Sequence, residues 1–232
     1  MNQRTLSRVA RLAAIGVASI GLIGLAHRPE VRPAMRTLGT ALGLTNSCPF
    51  GYDVIASPEQ VARARRAFSA SHAGSVPAPT RRQLGLEVGQ STRAEVAAWA
   101  ATSGVACVPQ RDPSQLTCTN LPETSPALVG AELLESTTWL EFDEREVLAR
   151  LTTVRKASQV QVISSAFSEV VASLGSAGNA ATRREGDPSA AFLSGGSLRQ
   201  ASAEYRFSNY FALIRATNVG QGYLLTEDYR AL

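Results

Sequence analysis

Two of the three cysteines, Cys107 and Cys118, have the spacing of a cross-strand disulfide. They fall on the two arms of a predicted hairpin that pairs residues 105–108 with residues 116–121. Opposed positions on antiparallel strands bring Cβ atoms to about 4.5–5.5 Å, which is close to what a disulfide needs. We therefore predict a Cys107–Cys118 disulfide in an oxidising compartment. Two buried, reduced thiols are the alternative if the chain is cytoplasmic.

Cys48 is the unmatched third cysteine. Its alternatives are a loop or buried thiol, a cross-link to a partner, or a bond to Cys107 or Cys118. The residues themselves do not choose among these, and a loop or buried thiol is the simplest interpretation.

Other residue types argue against metal and nucleophilic catalysis. The two histidines, His27 and His72, have no second histidine or carboxylate at ligand spacing. The sequence contains neither a G-x-S-x-G nucleophile elbow nor a phosphate-binding G-x-x-x-x-G-K-[ST] loop. Residues 220–222 (Gly-Gln-Gly) lack the further glycine and the following helix of a dinucleotide loop. We expect no metal and no cofactor.

Carboxylates are the one group whose clustering could support acid–base chemistry. They form one cluster at a predicted hairpin turn and one pair near the C terminus: Glu141, Asp143, Glu144 and Glu146, and Glu227 with Asp228. Hairpin turns are solvated, so we expect carboxyl pKa values there to stay near their ordinary range. The first cluster is therefore interpreted as a solvated turn, and a carboxylate-dependent hydrolase is the weaker alternative.

Aromatic residues crowd the last three predicted strands. They are Tyr205, Phe207, Tyr210, Phe211, Tyr223 and Tyr229. An open sheet face rich in aromatics is typical of a protein-binding surface, which makes Tyr205, Phe207, Tyr210 and Tyr223 candidate partner contacts. Ordinary packing within the sheet explains the same residues and is the favoured alternative. Trp139 alternates with Leu140, so only one of those two side chains can face the core.

The first 26 residues are predicted to target a membrane. Three arginines precede an apolar run at residues 12–26, as in a secretory signal. As a helix, that run spans about 22 Å, short of the roughly 30 Å hydrocarbon core. Counted from Val9 it reaches about 27 Å. Cleavage after Ala26 and an uncleaved anchor at residues 9–26 both stay open, as does an organellar transit peptide. The arginines at residues 28–36 favour the anchor.

Most of the net positive charge of the chain lies in that segment. Residues 1–26 hold three of the 23 basic residues and none of the 19 acidic ones, so the remainder has a net charge of +1. A nearly neutral domain has no broad basic field to attract polyanions. We therefore expect no nucleic-acid partner.

The remaining chain has the pattern of an α+β protein. A serine cap and Pro58 predict a helix that ends near Ser71, before a linker at residues 69–80. Alternating apolar residues predict a strand at residues 84–88. Thr92 and Glu95 form a capping box for a helix that ends at Gly104. A second hairpin pairs residues 137–142 with residues 147–155.

A similar order then recurs. Phe167, Val170, Val171 and Leu174 form one face of a helix that ends at Gly175, and the predicted strands at 203–207, 211–216 and 222–229 follow it. The offset from Val96 to Phe167 equals that from Gly104 to Gly175, at 71 residues, which indicates two tandem units of a helix and a meander. The predicted organisation is a signal or anchor at 1–26, a tether with one short helix at 27–80, and an extracytoplasmic domain at 81–232 with possible repeats at 84–156 and 160–232.

Residues 86–96 (L-E-V-G-Q-S-T-R-A-E-V) resemble the opening of BamE (SmpA/OmlA)-like envelope modules. Those modules run strand, G-x-[ST], helix and antiparallel meander, and their doubled form resembles the β-lactamase inhibitory protein family. The resemblance covers about a dozen residues, and it implies an extracytoplasmic protein-binding module without catalysis. The sequence departs from the lipoprotein members, because Thr-Asn-Ser at residues 45–47 before Cys48 is not a lipobox.

The sequence thus predicts a non-catalytic protein of the bacterial envelope that acts as a protein-binding or structural module. It is expected to be anchored in the inner membrane facing the periplasm, or secreted. An accessory subunit of a membrane complex is an alternative, in which Gly16, Gly21 and Gly24 pack against partner helices.

Overall fold

The computed structural model describes residues 58–78, 81–123, 125–175 and 181–232. The predicted membrane segment at residues 1–26, most of the tether and Cys48 lie outside the described residues. Within those ranges, no helix is both long and apolar enough to cross a membrane. The residues from Glu59 to Leu232 form one compact unit.

Four helices pack on an antiparallel sheet, as the predicted α+β class requires. The helices are α1 (Pro58–His72), α2 (Arg93–Ser103), α3 (Val160–Gly175) and α4 (Ala190–Ser194), with a 3₁₀ turn at Pro126–Leu128. Two short strands, β1 (Arg82–Gln83) and β2 (Leu86–Glu87), form a separate hairpin.

Eight further strands form the main sheet. They are β3 (Ala106–Pro109), β4 (Gln115–Thr119), β5 (Leu133–Phe142), β6 (Leu148–Ala157), β7 (Arg183–Glu185), β8 (Gln200–Arg206), β9 (Tyr210–Asn218) and β10 (Tyr223–Ala231). Their order is β3-β4-β5-β6-β10-β9-β8-β7, with every neighbouring pair antiparallel. The sheet is therefore two four-stranded meanders, each preceded along the chain by a helix, that join where β6 pairs with β10.

Local sequence signals explain the start and end of α2. The Thr92 side chain accepts a hydrogen bond from the Glu95 amide, and the Glu95 carboxylate accepts one from the Thr92 amide at 2.7 Å. Gly104 ends the helix in the left-handed region at φ 68°. Both features confirm the predicted capping box and stop, because they satisfy amide and carbonyl groups that a helix end leaves unpaired.

Both predicted hairpins are present. Cys107 lies directly opposite Cys118 across β3 and β4, and their sulfur atoms are within bonding distance, as predicted. In the second hairpin, Leu140 is buried while Trp139 is 39% exposed, so alternation along β5 assigns the two side chains to opposite faces of the sheet.

The sequence was less informative about short elements. The predicted strand at 84–88 is interrupted by a turn, because Leu84 (φ 55°) and Gly85 (φ 87°) are both left-handed. Strand β7 and helix α4, with three and five residues, were not predicted. Elements this short carry too few residues to establish a hydrophobic period.

The predicted linker is attached to the sheet over residues 73–78. The Gly74 amide donates to the Phe207 carbonyl at 2.9 Å, and the Ser208 amide donates to the Val76 carbonyl at 2.7 Å. A side chain at residue 74 would place its Cβ 2.1 Å from the Arg206 carbonyl oxygen, so only glycine fits. The compact unit thus includes α1, which the sequence assigned to the tether.

One face of the sheet, here called the covered face, carries the core. It includes Leu140, Leu151 and Tyr229, which are buried and aligned across neighbouring strands. Helix α3 lies over β6, β10 and β9 and buries apolar residues at helical spacing, namely Val160, Ile163, Ala166, Phe167, Val171 and Leu174. Burial of these side chains is the main source of stability for a face of this kind.

A charged pair is buried where the two meanders join. Arg155 of β6, only 2% exposed, forms an ion pair with Glu227 of β10. The Tyr229 hydroxyl donates to the other oxygen of Glu227 at 2.6 Å. Burial, together with the adjacent Glu227 charge, raises the pKa of Tyr229 well above its ordinary value, which keeps the hydroxyl protonated as a donor.

Replacing one member of this ion pair should lower the free energy of unfolding far more than replacing both charged residues together with Tyr229. Glu227→Ala leaves the Arg155 guanidinium buried without its counter-charge, and we expect a loss of about 3–5 kcal/mol in the free energy of unfolding. Arg155→Met/Glu227→Leu/Tyr229→Phe removes every polar member and should cost much less. Urea unfolding at pH 7 measures both variants, and equal losses would contradict this account.

The disulfide should contribute measurably to stability, because it closes a loop of ten residues. We expect Cys107→Ala/Cys118→Ala to lower the free energy of unfolding by about 2–3 kcal/mol, measured by urea unfolding. Peptide mapping of the parent protein without reductant should recover the two cysteine peptides linked. Recovery of both thiols in the free state from an exported protein would contradict the prediction.

Candidate partner-binding face

The sheet face opposite the core, here called the open face, carries side chains that alternate with the buried ones. Thr117, Trp139, Thr152 and Asp228 align across β4, β5, β6 and β10 in one row. Their sequence neighbours point to the covered face, since side chains alternate along a strand. The register of the strands therefore assembles the open face from both meanders.

Helix α1 crosses one end of the open face. Arg65 donates to Glu141 of β5 at 2.6 Å. Phe68 packs edge-on against Phe211 of β9, with ring centroids 5.2 Å apart, and the Arg230 guanidinium of β10 lies 4.4 Å above the Phe68 ring. The sheet residues that make these contacts lie in one row across the strands, and they bury one side of α1.

The rest of the open face is at least partly exposed to solvent. Its side chains are small or flexible and mix apolar with polar groups: Val108, Thr117, Thr119, Thr137, Trp139, Thr152, Val154, Lys156, Leu213, Arg215, Thr217, Leu224 and Thr226. Trp139 is the largest of them, and its 39% exposure is unusual for an indole in the middle of a sheet. The surface combines an aromatic anchor with adaptable threonine hydroxyls.

A cleft of about 250 Å³ opens on this face beside α1. It is lined by Gln115, Trp139, Leu140, Glu141, Arg150 and Thr152. Its location follows from the register, because Glu141 and Arg150 lie in the row that α1 crosses, while Trp139 and Thr152 lie in the first uncovered row. The cleft therefore forms where the helix meets the sheet, and it brings an aromatic ring next to a guanidinium.

Two arginines share one carboxylate behind this cleft. Arg150 donates to Asp228 at 2.8 Å and Arg230 donates to it at 2.6 Å, while the Thr152 hydroxyl adds a third bond at 3.1 Å. Burial tends to raise the pKa of Asp228, but the hydrogen bonds from Arg230 and Arg150 outweigh it and hold the pKa below its ordinary value. Asp228 is thus ionised, and the group keeps one positive charge in excess.

The predicted partner-binding aromatics are not on this face. Tyr205, Phe207 and Tyr210 are buried on the covered face, where the Tyr205 hydroxyl donates to the Val171 carbonyl of α3 at 2.8 Å. Tyr223 also lies on the covered face and is half-buried. Packing within the sheet, the alternative favoured from the sequence, therefore accounts for the three buried side chains.

The exposure of Trp139 on the open face was not predicted, although the sequence held a signal for it. It lies in a strand in which Leu140 and Phe142 alternate with Trp139 and Glu141. The acidic partner at 141 marks the face that carries Trp139 as the polar one. In β8 the same kind of signal was present, because Ser202, Glu204 and Arg206 alternate with Ala203 and Tyr205 and mark Tyr205 as core-facing. The aromatic residues at the start of β9 lie in a more uniformly apolar strand, which offers no comparable signal.

The acidic residues have structural roles. Asp143 accepts hydrogen bonds from the Arg145 and Val147 amides and so fixes the β5–β6 turn, and Glu146 pairs with Arg93 of α2. Burial opposes ionisation of Asp143, but these hydrogen bonds prevail and lower its pKa. A general acid at neutral pH needs a raised pKa, so Asp143 is unsuited to that role. Glu227 and Asp228, the acidic pair near the C terminus, lie in β10 and point to opposite faces of the sheet.

The part of the chain that the structure describes contains no cluster of three or more histidine, cysteine or acidic side chains able to hold a metal ion. Comparison of the sequence with models of protein families gives no match, and comparisons with curated proteins and with solved structures give none either.

The shared carboxylate should make stability depend on pH in the acid range. Because the pKa of Asp228 is lower in the folded protein, its contribution is present above its unfolded pKa of about 3.9 and is lost as the pH falls through the folded value. We expect Asp228→Asn to be less stable than the parent by about 1–3 kcal/mol at pH 7, with the difference shrinking below about pH 4. Urea unfolding between pH 2.5 and pH 7 measures it. A difference that does not change with pH would contradict the ionised state.

Proposed function

We propose that this chain is a non-catalytic protein of the bacterial envelope whose α+β domain binds a protein partner through the open face. The observation that carries the proposal is the exposed Trp139 on the inner strand β5, in the first row of the open face that α1 leaves uncovered. Aromatic side chains that are part exposed and ringed by polar groups are typical anchors in protein interfaces.

The size of the face supports a protein as the ligand. Eight strands at the usual spacing give a width of about 34 Å, and three uncovered rows add a height of about 20 Å. That area is on the order of 700 Å², near the roughly 800 Å² that each partner contributes to a standard interface. The cleft alone would accept a small molecule, but most of the open face would then stay unused.

The topology supports the proposed tandem organisation. Along the chain, the meander β3-β4-β5-β6 follows α2, and the meander β7-β8-β9-β10 follows α3. In the sheet the two meanders run in opposite order, with β6 next to β10. A doubled helix-and-meander unit is also what the resemblance to BamE-like modules and to the β-lactamase inhibitory protein family implies. We propose repeats at 84–156 and 160–232 on this basis, with α4 as an addition to the second.

An extracytoplasmic location is part of the proposal. A disulfide that closes a short hairpin is typical of proteins that mature in an oxidising compartment. Together with the basic and apolar character of residues 1–26, this supports export across the inner membrane, followed by anchoring or release. The partner is then expected in the periplasm or beyond it.

Site-specific photo-crosslinking tests the proposed face. The full chain is expressed in its source cells with a benzophenone amino acid replacing Trp139, and in separate strains replacing Thr137 or Leu213. We expect all three positions to yield the same cross-linked protein after irradiation. The probe at Glu144 on the β5–β6 turn, or at Ser173 on the outer side of α3, serves as the control. Equal yields from the face and the controls, or no adduct from the face, would refute the proposal.

A further inference from the structure

Charge is distributed unevenly over the domain. Residues 1–57 hold six of the 23 basic residues and two of the 19 acidic ones, so the remaining chain has 17 of each and no net charge. The open face and α1 together carry nine basic and six acidic residues, a net charge of +3. The rest of the domain must then carry −3. The proposed binding face is thus the positive side of a neutral domain.

Much of this positive charge is not neutralised by neighbours. Arg65, Arg206 and Arg183 each pair with an acid of the same surface. Arg63 and Arg66 of α1, together with Lys156 and Arg215 of the sheet, have no ion-pair partner among the described residues. Exposed charges of this kind steer an approaching partner and set its orientation more than they set affinity.

The cleft beside Trp139 also favours a negatively charged group. Arg150 lines it and shares Asp228 with Arg230, which leaves one positive charge unmatched behind the indole ring. Water is partly excluded there by α1 and by the ring, so a carboxylate that enters would form a stronger hydrogen bond than on the open surface. The Gln115 side-chain amide at the cleft wall adds a donor for the same oxygen atoms, whereas the Thr152 hydroxyl already donates to Asp228 and the Glu141 carboxylate is paired with Arg65.

We propose that the partner presents an acidic surface, with an aspartate or glutamate side chain that enters the cleft beside Arg150 and an apolar group that packs on Trp139. This inference rests on the proposed function, because it names the chemistry of the partner at the same face. A nucleic acid or another polyanion fits less well. Glu59 and Glu135 interrupt the positive surface, and a net charge of +3 supports few phosphate contacts.

The test uses synthetic peptides, so it does not depend on knowing the partner. The probes are three fluorescent twelve-residue peptides with the same leucines and one tryptophan. At the positions between the leucines and the tryptophan, the first peptide carries glutamates, the second glutamines and the third lysines. Binding to the full chain in mild detergent is followed by fluorescence anisotropy at 50 and 300 mM NaCl. We expect the glutamate peptide to bind at least ~10-fold more tightly than the other two, and to weaken several-fold at the higher salt concentration.

Variants locate the binding to the open face. Lys156→Glu/Arg215→Glu should weaken binding of the glutamate peptide by ~10-fold or more, and Trp139→Ala should weaken both the glutamate and the glutamine peptide. Arg199→Glu is compared with Arg215→Glu alone as its matched control, because each reverses one exposed charge. Arg199 lies on the α4 side of the domain, so its reversal should leave affinity unchanged. Circular dichroism of each variant verifies that the fold is retained.

Three outcomes would overturn the inference. The first is equal binding of the glutamate and glutamine peptides, and the second is an effect of Arg199→Glu as large as that of the face variants. The third is displacement by polyphosphate at the same concentration of negative charge, which indicates general attraction of polyanions. If any of these occurs while residue 139 still cross-links a protein in cells, the proposed function stands and only the acidic partner is excluded. If cross-linking fails as well, both are excluded.

Discussion

The pairing of β6 with β10 is the constraint on which the rest of the structure depends. It is the only strand pairing between the two meanders in the described sheet, and it fixes eight residue pairs from Tyr223↔Ala157 to Arg230↔Arg150. Because side chains alternate, a slip by one residue would exchange the two faces of every strand beyond it. The register of this one strand pair therefore determines which side chains form the covered core and which form the open face.

Charges on both sides of this junction specify its register. On the covered face Arg155 meets Glu227, and on the open face Arg150 meets Asp228. The neighbouring residues Glu227 and Asp228 point in opposite directions, so a shifted pairing would separate Glu227 from Arg155 and Asp228 from Arg150. Buried ion pairs of this kind add little net stability compared with apolar residues, but misplacing them is costly. Here they select one arrangement over its neighbours.

Much of the local structure followed from the sequence. The Thr92–Glu95 capping box, the Gly104 stop and the Cys107–Cys118 pairing each depend on a few adjacent residues, and all were predicted correctly. The apolar face predicted for α3 covered only Phe167 to Leu174, whereas the helix begins at Val160. Its first two turns contain Gln161, Ser164 and Ser165, which weaken the apolar pattern there.

The site was harder to predict, because it depends on contacts between distant parts of the chain. In β8, polar residues alternate with Ala203 and Tyr205 and would assign Tyr205 to the core. In β9 most of the first residues are apolar, so the side on which α3 packs decides which aromatic residue faces the core. Likewise, α1 looked like part of a tether because its apolar residues are few, and its docking relies on Arg65–Glu141 and on the stack of Phe68 against Phe211. Those partners are separated by 76 and 143 residues along the chain.

The two outer strands of the sheet have a consequence for how this domain can associate. At one border β3 offers four residues and ends at Pro109, which has no amide hydrogen, and at the other β7 offers three residues, all charged. Short borders with proline and charges resist the addition of a foreign strand, and the disulfide ties β3 to β4. These borders therefore disfavour edge-to-edge extension of the sheet, and a partner of the proposed face would contact it through side chains rather than by adding a strand.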